Sequence, residues 1–215
     1  MAAPRIAFCI DSLKLGGAER VLLRWAGWCQ QAGWSVVVIT RQPPQRDVYP
    51  LPAGVRRLQE PPLLCPLDRL GWLGFPWRVL RLRALLQQHQ CRLAVGITTL
   101  PAVKLLLACI GLPVRCVVSE RNYPPAKPPL LPWRCLRRLT YPWADLHLVQ
   151  TQRTGAWLQR HCGVRRQLLM PNPVQWPLPD RAPRVVPEAW LPPDAPLLLG
   201  AGTKSRQKGF DRLMP

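Results

Sequence analysis

The chain has 215 residues, of which 48% are hydrophobic, and a mean hydropathy of −0.04. These values are typical of a folded chain long enough for one large domain or two small ones. Its 30 Lys and Arg residues outnumber 11 Asp and Glu, which gives a formal net charge of +19, and 27 residues are proline. An acidic chain and a collagen-like chain are therefore excluded.

The cysteines and the apolar tracts indicate whether the chain binds metal and where in the cell it lies. Eight cysteines occur without any C-x-x-C pair, and three histidines are too few to complete zinc sets with them, so we expect reduced thiols and no metal or cofactor. No secretory signal precedes the first strand, and the longest apolar tract, residues 93–114, is interrupted by Pro101, Lys104 and Pro113. We expect a cytoplasmic chain that lies at most on the inner membrane face.

Short apolar runs alternate with amphipathic segments from the first residues onward, as in βαβ units. Residues 5–10 are predicted to form a buried strand. After Gly16 and Gly17, apolar side chains from 18 to 29 recur with helical spacing, and Gly33 then ends the helix. Residues 35–40 include four consecutive β-branched residues, as expected of a strand buried on both faces.

The same alternation continues to residue 170 and defines the fold class. Further helices are predicted over 77–89, 101–110, 133–141 and 152–162, and further strands over 93–98, 114–119, 146–150 and 167–170. The pattern predicts an α/β fold, a Rossmann-like parallel sheet with helices on both faces.

The distribution of proline divides the chain. Nine prolines lie between 171 and 196, too many for the interior of a helix or strand. We therefore predict a domain over 1–172, a proline-rich linker over 173–195, and an incomplete, truncated second domain over 196–215. In the alternative, the strand predicted near 196–201 docks on the edge of the first sheet and closes a single domain.

Gly16 and Gly17 join the end of a predicted strand to the start of a helix. At such a position, glycines let a ligand approach the backbone, and the free amides of the helix start favour anions. Neither G-x-G-x-x-G nor a P-loop is present. From the residues alone, a ligand-binding loop and a plain turn both remain open.

Five segments in order carry a family resemblance: 16–22 (GGAERVL), 117–122 (VVSERN), 144–151, 170–174 (MPNPV) and 202–210. Their order resembles the N-terminal domain and interdomain linker of a GT-B glycosyltransferase of family 4. The resemblance implies retaining transfer of a sugar from a nucleotide-sugar donor. It places the acceptor on the N-terminal domain and the donor mainly on the C-terminal one.

The resemblance also assigns roles by position. Gly16 and Gly17, with Glu19, would face the donor's phosphates and transferred sugar. Glu120 and Arg121 would lie at the cleft end of their strand as the candidate catalytic residues, with Arg121 standing about where family members often place a histidine. A local ion pair on a loop is the alternative explanation of Glu120 and Arg121.

The segment 202–211 resembles the family's Gly-Arg-x-x-x-x-Lys-Gly-Phe donor motif. Lys208 matches the motif lysine, and Thr203 stands at the arginine position, so Lys204 or Arg206 would have to help Lys208 hold the donor diphosphate. A solvated basic loop is the alternative. The family's donor domain continues far beyond such a motif, so we expect no turnover by this chain alone unless another chain supplies the missing domain.

Basic residues also recur on predicted helices. Arg134, Arg137 and Arg138 have helical spacing, as do Arg78 and Arg81, and such faces suit an anionic membrane surface and a glycan or lipid-linked acceptor. A solvated face is the alternative. Nucleic-acid binding is disfavoured because no aromatic platform or helix-turn-helix is evident. A non-catalytic acceptor-binding module derived from a glycosyltransferase remains a second functional class.

Overall fold

A computed structural model describes residues 4–61, 73–174, 177, 189–192 and 194–196. The chain divides into two units, Met1–Pro173 and Val174–Pro215. The described part of the first unit is an α/β domain, whereas the strand predicted near 196–201 lies almost entirely outside the described residues.

Seven parallel strands form one sheet in the order β3-β2-β1-β4-β5-β6-β7. The strands are β1 (Arg5–Ile10), β2 (Ser35–Thr40), β3 (Arg56–Gln59), β4 (Leu93–Ile97), β5 (Arg115–Glu120), β6 (Leu146–Val149) and β7 (Gln167–Leu169). The helices are α1 (Gly17–Gln31), α2 (Phe75–Gln88), α3 (Thr99–Ala108), α4 (Leu131–Thr140) and α5 (Gln152–Cys162). The Rossmann-like fold class predicted from the sequence is confirmed.

Helices cover both faces of the sheet, as the side chains of β1 show by pointing alternately to one face and the other. Ala7 and Cys9 point into a core built with α2, α3 and α5, while Ile6 and Phe8 point into a second core built with α1. Both sets are buried because a parallel sheet needs cover on each face.

Helix α3 lies at the centre of the helical layer and explains the long apolar tract. Seven of its ten residues are buried, including Lys104, as expected of a helix packed on several sides. Helix α3 also packs closely on β4: a Cβ at Gly96 would lie 2.6 Å from the Ala102 Cα. Among the described residues, no helix is long and apolar enough to cross a membrane.

Strand β3 was not predicted. It is short, its sequence is Arg-Arg-Leu-Gln, and among the described strands it pairs with β2 alone, at the edge of the sheet. Charged side chains at an edge discourage pairing with other chains, and they also remove the apolar run by which a strand is recognised.

Candidate active site

The order in which successive strands are added to the sheet reverses beside β1, near the centre of the sheet. Strand β1 lies between β2 and β4, so the connections from β1 and from β3 leave on opposite sides. In open parallel sheets, ligands bind at the carboxyl ends of the strands beside this point. The segments that follow β1, β4 and β5 therefore form the candidate site.

The loop after β1 ends at Gly16, which precedes the first residue of α1. Gly16 is extended, with φ −167°, so its conformation does not require glycine. A Cβ there would collide with the Glu19 carboxylate, which lies over the helix start, whereas a Cβ at Gly17 would meet no atom of the described residues within 4 Å. The α1 N-terminus is thus accessible to an anion on the side of Gly17, with Glu19 occupying the adjacent position.

Thr98, between β4 and α3, has an unusual backbone conformation, with φ 69° and ψ 167°. That region is occupied almost only by glycine and costs a side-chain-bearing residue about 1–3 kcal/mol. It is held by two backbone hydrogen bonds, from Thr98 N to Ser119 O (3.0 Å) and from Ala102 N to Thr98 O (3.1 Å). The strained residue therefore sets where α3 begins at the carboxyl edge.

Glu120 ends β5, but its side chain points into the protein and is 2% exposed. Its carboxylate accepts hydrogen bonds from Tyr141 OH (2.9 Å) and Thr99 Oγ1 (3.2 Å). Burial raises the pKa of Glu120, while the hydrogen bond from Tyr141 and the charge of Arg137 oppose that rise. Through Thr99, the first residue of α3, the carboxylate holds the start of that helix.

Arg121 lies at the same edge but on the other face. Its guanidinium carbon is 5.3 Å from the centre of the Trp25 ring, and the guanidinium donates to Asn172 Oδ1. With its amide oriented to satisfy both neighbours, Gln150 donates to the Arg121 carbonyl (3.0 Å) and accepts from Asn172 Nδ2 (2.8 Å). Arg24 also donates to the Pro173 carbonyl (3.0 Å), so this cluster holds the last residues of the first unit.

A cleft opens at the carboxyl edge above the start of α3, and we call it the edge cleft. Its lining comes from segments far apart in sequence: Asp11, Arg41, Phe75, Arg78, Leu100, Pro101, Lys104 and Trp133. Phe75 and Trp133 meet edge to face, with ring centroids 4.7 Å apart. The edge cleft thus combines an aromatic wall with cationic side chains.

Two ion pairs shape the polar side of the edge cleft. The Arg41–Asp11 pair (2.6 Å) is about half exposed, so it contributes little stability. Lys104 pairs with Glu60, and both are nearly buried, at 7% and 5% exposure. Such a buried pair fixes the position of the Lys104 ammonium, because removing either partner leaves an uncompensated charge.

The volume of the edge cleft is about 60 Å³, far below the roughly 300–1,000 Å³ of complete ligand pockets. The cleft by itself accommodates only a small group of a ligand. A larger cavity of about 510 Å³ lies at the opposite edge, beside Arg5 and Gln90. We place the candidate site at the carboxyl edge because ligands of this sheet type bind there.

The remaining site residues predicted from the sequence are either exposed, buried or outside the described part of the chain. Lys204, Arg206 and Lys208 lie outside the described residues. On α4, Arg134 and Arg138 are exposed, but Arg137 is 4% exposed and its guanidinium packs on Trp157 at 5.0 Å. Arg137 lies on the inner side of the helix, so the expectation that it faces a membrane is wrong, while that expectation for Arg134 and Arg138 stays a prediction.

Sequence reasoning missed the edge cleft itself. In the sequence, Lys104 stands out as an interruption of an apolar tract. A lysine inside an apolar helix indicates that a buried acidic partner lies close to it in the fold. Within the described ranges, no group of three or more His, Cys, Asp and Glu residues could hold a metal ion.

A doubly wound parallel sheet with a polar carboxyl edge defines a large class of nucleotide- and sugar-binding domains. Within that class, the chain belongs to glycosyltransferase family 4, whose model matches residues 15–175. The family resemblance drawn from the sequence is thus confirmed. A comparison with curated proteins finds no match.

Solved structures share the fold at low sequence identity. Sucrose-phosphate synthase from Thermosynechococcus elongatus is 18% identical with a TM-score of 0.62, and the match covers 78% of this chain and 48% of that one. HepE from Anabaena, solved with UDP and glucose, is 19% identical with a TM-score of 0.55, covering 78% and 44%. The lipopolysaccharide outer core galactosyltransferase WaaB is 14% identical with a TM-score of 0.59, covering 79% and 46%.

These matches concern one part of each relative. This chain spans less than half the length of the HepE and sucrose-phosphate synthase chains above. A shorter solved chain of the same synthase is covered over 91% of its length, with a TM-score of 0.56. The shared part is therefore the domain with the Rossmann-like sheet, which is the N-terminal domain of GT-B glycosyltransferases.

Proposed function

We propose that this chain forms the acceptor-side domain of a retaining glycosyltransferase that uses a nucleotide-sugar donor and acts on a glycan or lipid-linked acceptor. The observation that carries the proposal is the family match over residues 15–175. HepE structures with UDP and with UDP-glucose support a nucleotide-sugar donor. The retaining outcome rests on the resemblance alone.

On the donor side, the open surroundings of Gly17 and the free amides of the α1 start support a contact with the donor's phosphates or transferred sugar. Glu19 lies over Gly16, so a phosphate at this helix end requires the Glu19 carboxylate to move aside. Lys204, Arg206 and Lys208 remain the proposed diphosphate contacts.

On the acceptor side, the edge cleft supports binding of a sugar or another polar group. The Phe75 and Trp133 rings offer an apolar surface for the face of a sugar ring, and the cationic side chains of Lys104 and Arg41 line the polar side of the cleft. Glu120 and Arg121 act in this proposal as positioning residues: Glu120 fixes the start of α3, and Arg121 fixes the segment around Asn172.

The same contacts favour one alternative, a non-catalytic acceptor-binding module. The Glu120 carboxylate is buried and hydrogen-bonded, and the Arg121 guanidinium is occupied by Asn172 and Trp25. Neither offers an unoccupied acid or base to the edge cleft. Binding of the acceptor without sugar transfer is what this alternative predicts.

Association with the cytoplasmic face of an anionic membrane is also part of the proposal. The outer side of α4 carries Arg134 and Arg138, and the flanking Leu130, Leu131 and Leu139 are 76%, 67% and 60% exposed. Basic and apolar side chains on one face suit a lipid interface. Replacing Leu130 and Leu139 with Ser should reduce co-sedimentation with phosphatidylglycerol vesicles, and unchanged co-sedimentation would contradict membrane association.

Binding of acceptors tests the proposed function on the chain as it stands. A panel of free oligosaccharides and polyprenyl-phosphate-linked sugars is titrated with the 215-residue chain, followed by incubation with labelled nucleotide sugars. We expect saturable binding of at least one acceptor class. Leu100→Arg, which fills the edge cleft, should weaken that binding by roughly tenfold or more.

Ile110→Arg is the matched control, because Ile110 is also exposed and follows the other end of the same helix. It should leave acceptor binding unchanged. Label on the acceptor would support a transferase, and binding without label would support the non-catalytic alternative. Equal binding by both variants, or no acceptor binding at all, would overturn the acceptor-side assignment.

A further inference from the structure

A second cleft, away from the sheet edge, lies between α4 and α5, and we call it the arginine cleft. It has a volume of about 270 Å³, and its lining includes Arg134, Arg137, Arg138, Trp157 and His161. Helices α4 and α5 pack on the outside of the sheet, so this cleft opens at the outer surface of the helical layer.

Among the described residues, the lining of the arginine cleft is strongly cationic and includes neither Asp nor Glu. Neither α4 (Leu131–Thr140) nor α5 (Gln152–Cys162) contains Asp or Glu. Within the described parts of the chain, neither Arg134 nor Arg138 forms an ion pair. Like charges so close repel one another, and an anion bound between them would relieve that repulsion.

Arg137 gives the cleft a buried cationic floor. It is 4% exposed, and its Nε has no hydrogen-bond partner among the described residues. Its positive charge lies close enough to Glu120 and Cys162 to oppose the rise of their pKa values. The Cys162 side chain already hydrogen-bonds to this guanidinium, so Nε is the donor left for a bound anion, and leaving a buried donor without an acceptor is costly.

Aromatic contacts hold the Arg137 guanidinium and the His161 ring in place. The Trp157 ring contacts the Arg137 guanidinium at 5.0 Å and stacks on the His161 ring at 4.5 Å, with an interplanar angle of 14°. His161 Nδ1 lies 2.9 Å from the Trp157 carbonyl, which fixes the ring and leaves Nε2 directed away from that carbonyl. The floor of the cleft, formed by Arg137, Trp157 and His161, is thus ordered before any ligand binds.

We propose that the arginine cleft binds a phosphate group, held between Arg134 and Arg138 above the buried Arg137. Guanidinium groups match the tetrahedral oxygens of phosphate with paired, charge-assisted hydrogen bonds. Exposed Leu130, Leu131 and Leu139 beside the cleft suit the acyl chains of a phospholipid, and free phosphate has the same chemistry without them. The site deepens the membrane-surface part of the proposed function and rests on that part only for a lipid ligand.

Titration with inorganic phosphate tests the site without a membrane. Binding to the 215-residue chain is followed by ³¹P NMR at constant ionic strength, and the double variant Arg134→Gln/Arg138→Gln is compared with Arg160→Gln/Arg165→Gln. The control removes the same charge from exposed positions outside the cleft. We expect phosphate affinity to fall by roughly tenfold or more in the cleft variant and to remain unchanged in the control.

Vesicles distinguish the two sources of phosphate. Phosphatidylcholine vesicles containing phosphatidic acid are compared with vesicles of equal charge containing phosphatidylserine. Selective loss of phosphatidic acid binding in the cleft variant supports a lipid phosphate, and loss of inorganic phosphate binding alone supports free phosphate and contradicts membrane association. The site is overturned if both double variants lose binding equally, or if neither phosphate nor vesicles bind saturably.

Discussion

Individual charges at the carboxyl edge are held by partners from distant elements. Lys104 is paired with Glu60, 44 residues away, and Arg121 is hydrogen-bonded to Asn172, 51 residues away. Each contact orders a long side chain, which costs rotamer entropy before a ligand arrives. The edge is therefore preorganised, which reduces what a ligand must supply on binding.

Gly17 offers a direct residue-scale test of the donor loop. Gly17→Ala should raise the free energy of unfolding by up to about 1 kcal/mol, because the site is open and alanine favours a helix. If the donor approaches the backbone here, the added methyl should weaken nucleotide-sugar binding by roughly tenfold. Calorimetric titration and chemical denaturation of the same variant measure both effects.

Gly27→Ala, in the interior of α1, is its control. There the new Cβ makes an ordinary contact with Pro52 at 3.4 Å, so stability changes without any effect on nucleotide-sugar binding. Equal donor affinity in Gly17→Ala and the wild type would remove Gly17 from the donor site.

His147 makes stability sensitive to acid. It is 1% exposed with neither ring nitrogen hydrogen-bonded among the described residues, and burial lowers its pKa from 6.5 to about 4. The unfolded chain binds the proton first, so the stability from neutral His147 is present above pH 6.5 and is lost as the pH falls to about 4. The loss should be on the order of 3 kcal/mol.

His147→Phe should remove that part of the pH dependence. Chemical denaturation between pH 7 and pH 4.5 should show a smaller loss of stability in the variant than in the wild type. Glu120, whose pKa is raised by burial, has the opposite effect over this range, but both proteins share it. Parallel pH profiles for the two proteins would show that His147 does not couple to folding.

At the scale of elements, the contact between β4 and α3 positions the edge cleft. Gly96 lets the helix approach the strand so closely that a Cβ would meet the Ala102 backbone at 2.6 Å. Leu100 and Lys104, which line the cleft, lie on the same helix. A change of helix position at Ala102 is therefore expected to move both of them.

Gly96→Ala should displace α3 and destabilise the domain by about 1–3 kcal/mol, because backbone atoms cannot rotate away as a side chain can. The variant should also bind acceptor more weakly. Thermal unfolding and acceptor titration measure the two effects, and Gly17→Ala, whose surroundings are open, is the control for adding a methyl group. If Gly96→Ala had the stability of the wild type, α3 and β4 would have to be packed less closely than the structure shows.

Periodicity predicted most elements because burial repeats with the period of each element. Helix α5 has the bounds expected from its spacing, and β1 and β2 likewise. Strand β3 has no apolar run, since its position is set by pairing with β2 rather than by burial of its own side chains. Packing against α5 decides which side of α4 faces inward, and the sequence of α4 alone does not show it. The prediction that Arg137 lies at the surface is wrong for that reason.

The site could be predicted only where a family motif marked it. Gly16, Gly17 and Glu19 lie together at the start of α1, as their adjacency requires. Asp11 and Trp133 line the same edge cleft although they are 122 residues apart in sequence, and no local sequence pattern indicates a contact over such a separation. Burial of Glu120 was likewise decided by Tyr141 and Thr99, which come from other elements.

At the scale of the whole molecule, the net charge of +19 is distributed unevenly. Acidic partners accompany basic residues around β2 and β3, as in the Arg41–Asp11 and Arg57–Asp47 pairs. Helices α4 and α5 have none in their own sequences. These two helices carry five arginines, at 134, 137, 138, 153 and 160, without an acidic residue of their own, and a surface of that composition attracts anions.

The central claim is that the carboxyl edge of this glycosyltransferase domain binds the acceptor. Hydrogen–deuterium exchange of the 215-residue chain, with and without a saturating member of the acceptor panel, tests it directly. We expect slower exchange in residues 99–104 and 131–134, which border the edge cleft, and unchanged exchange at the amino edge around 86–92. Protection at the amino edge, with none at the start of α3, would contradict the claim.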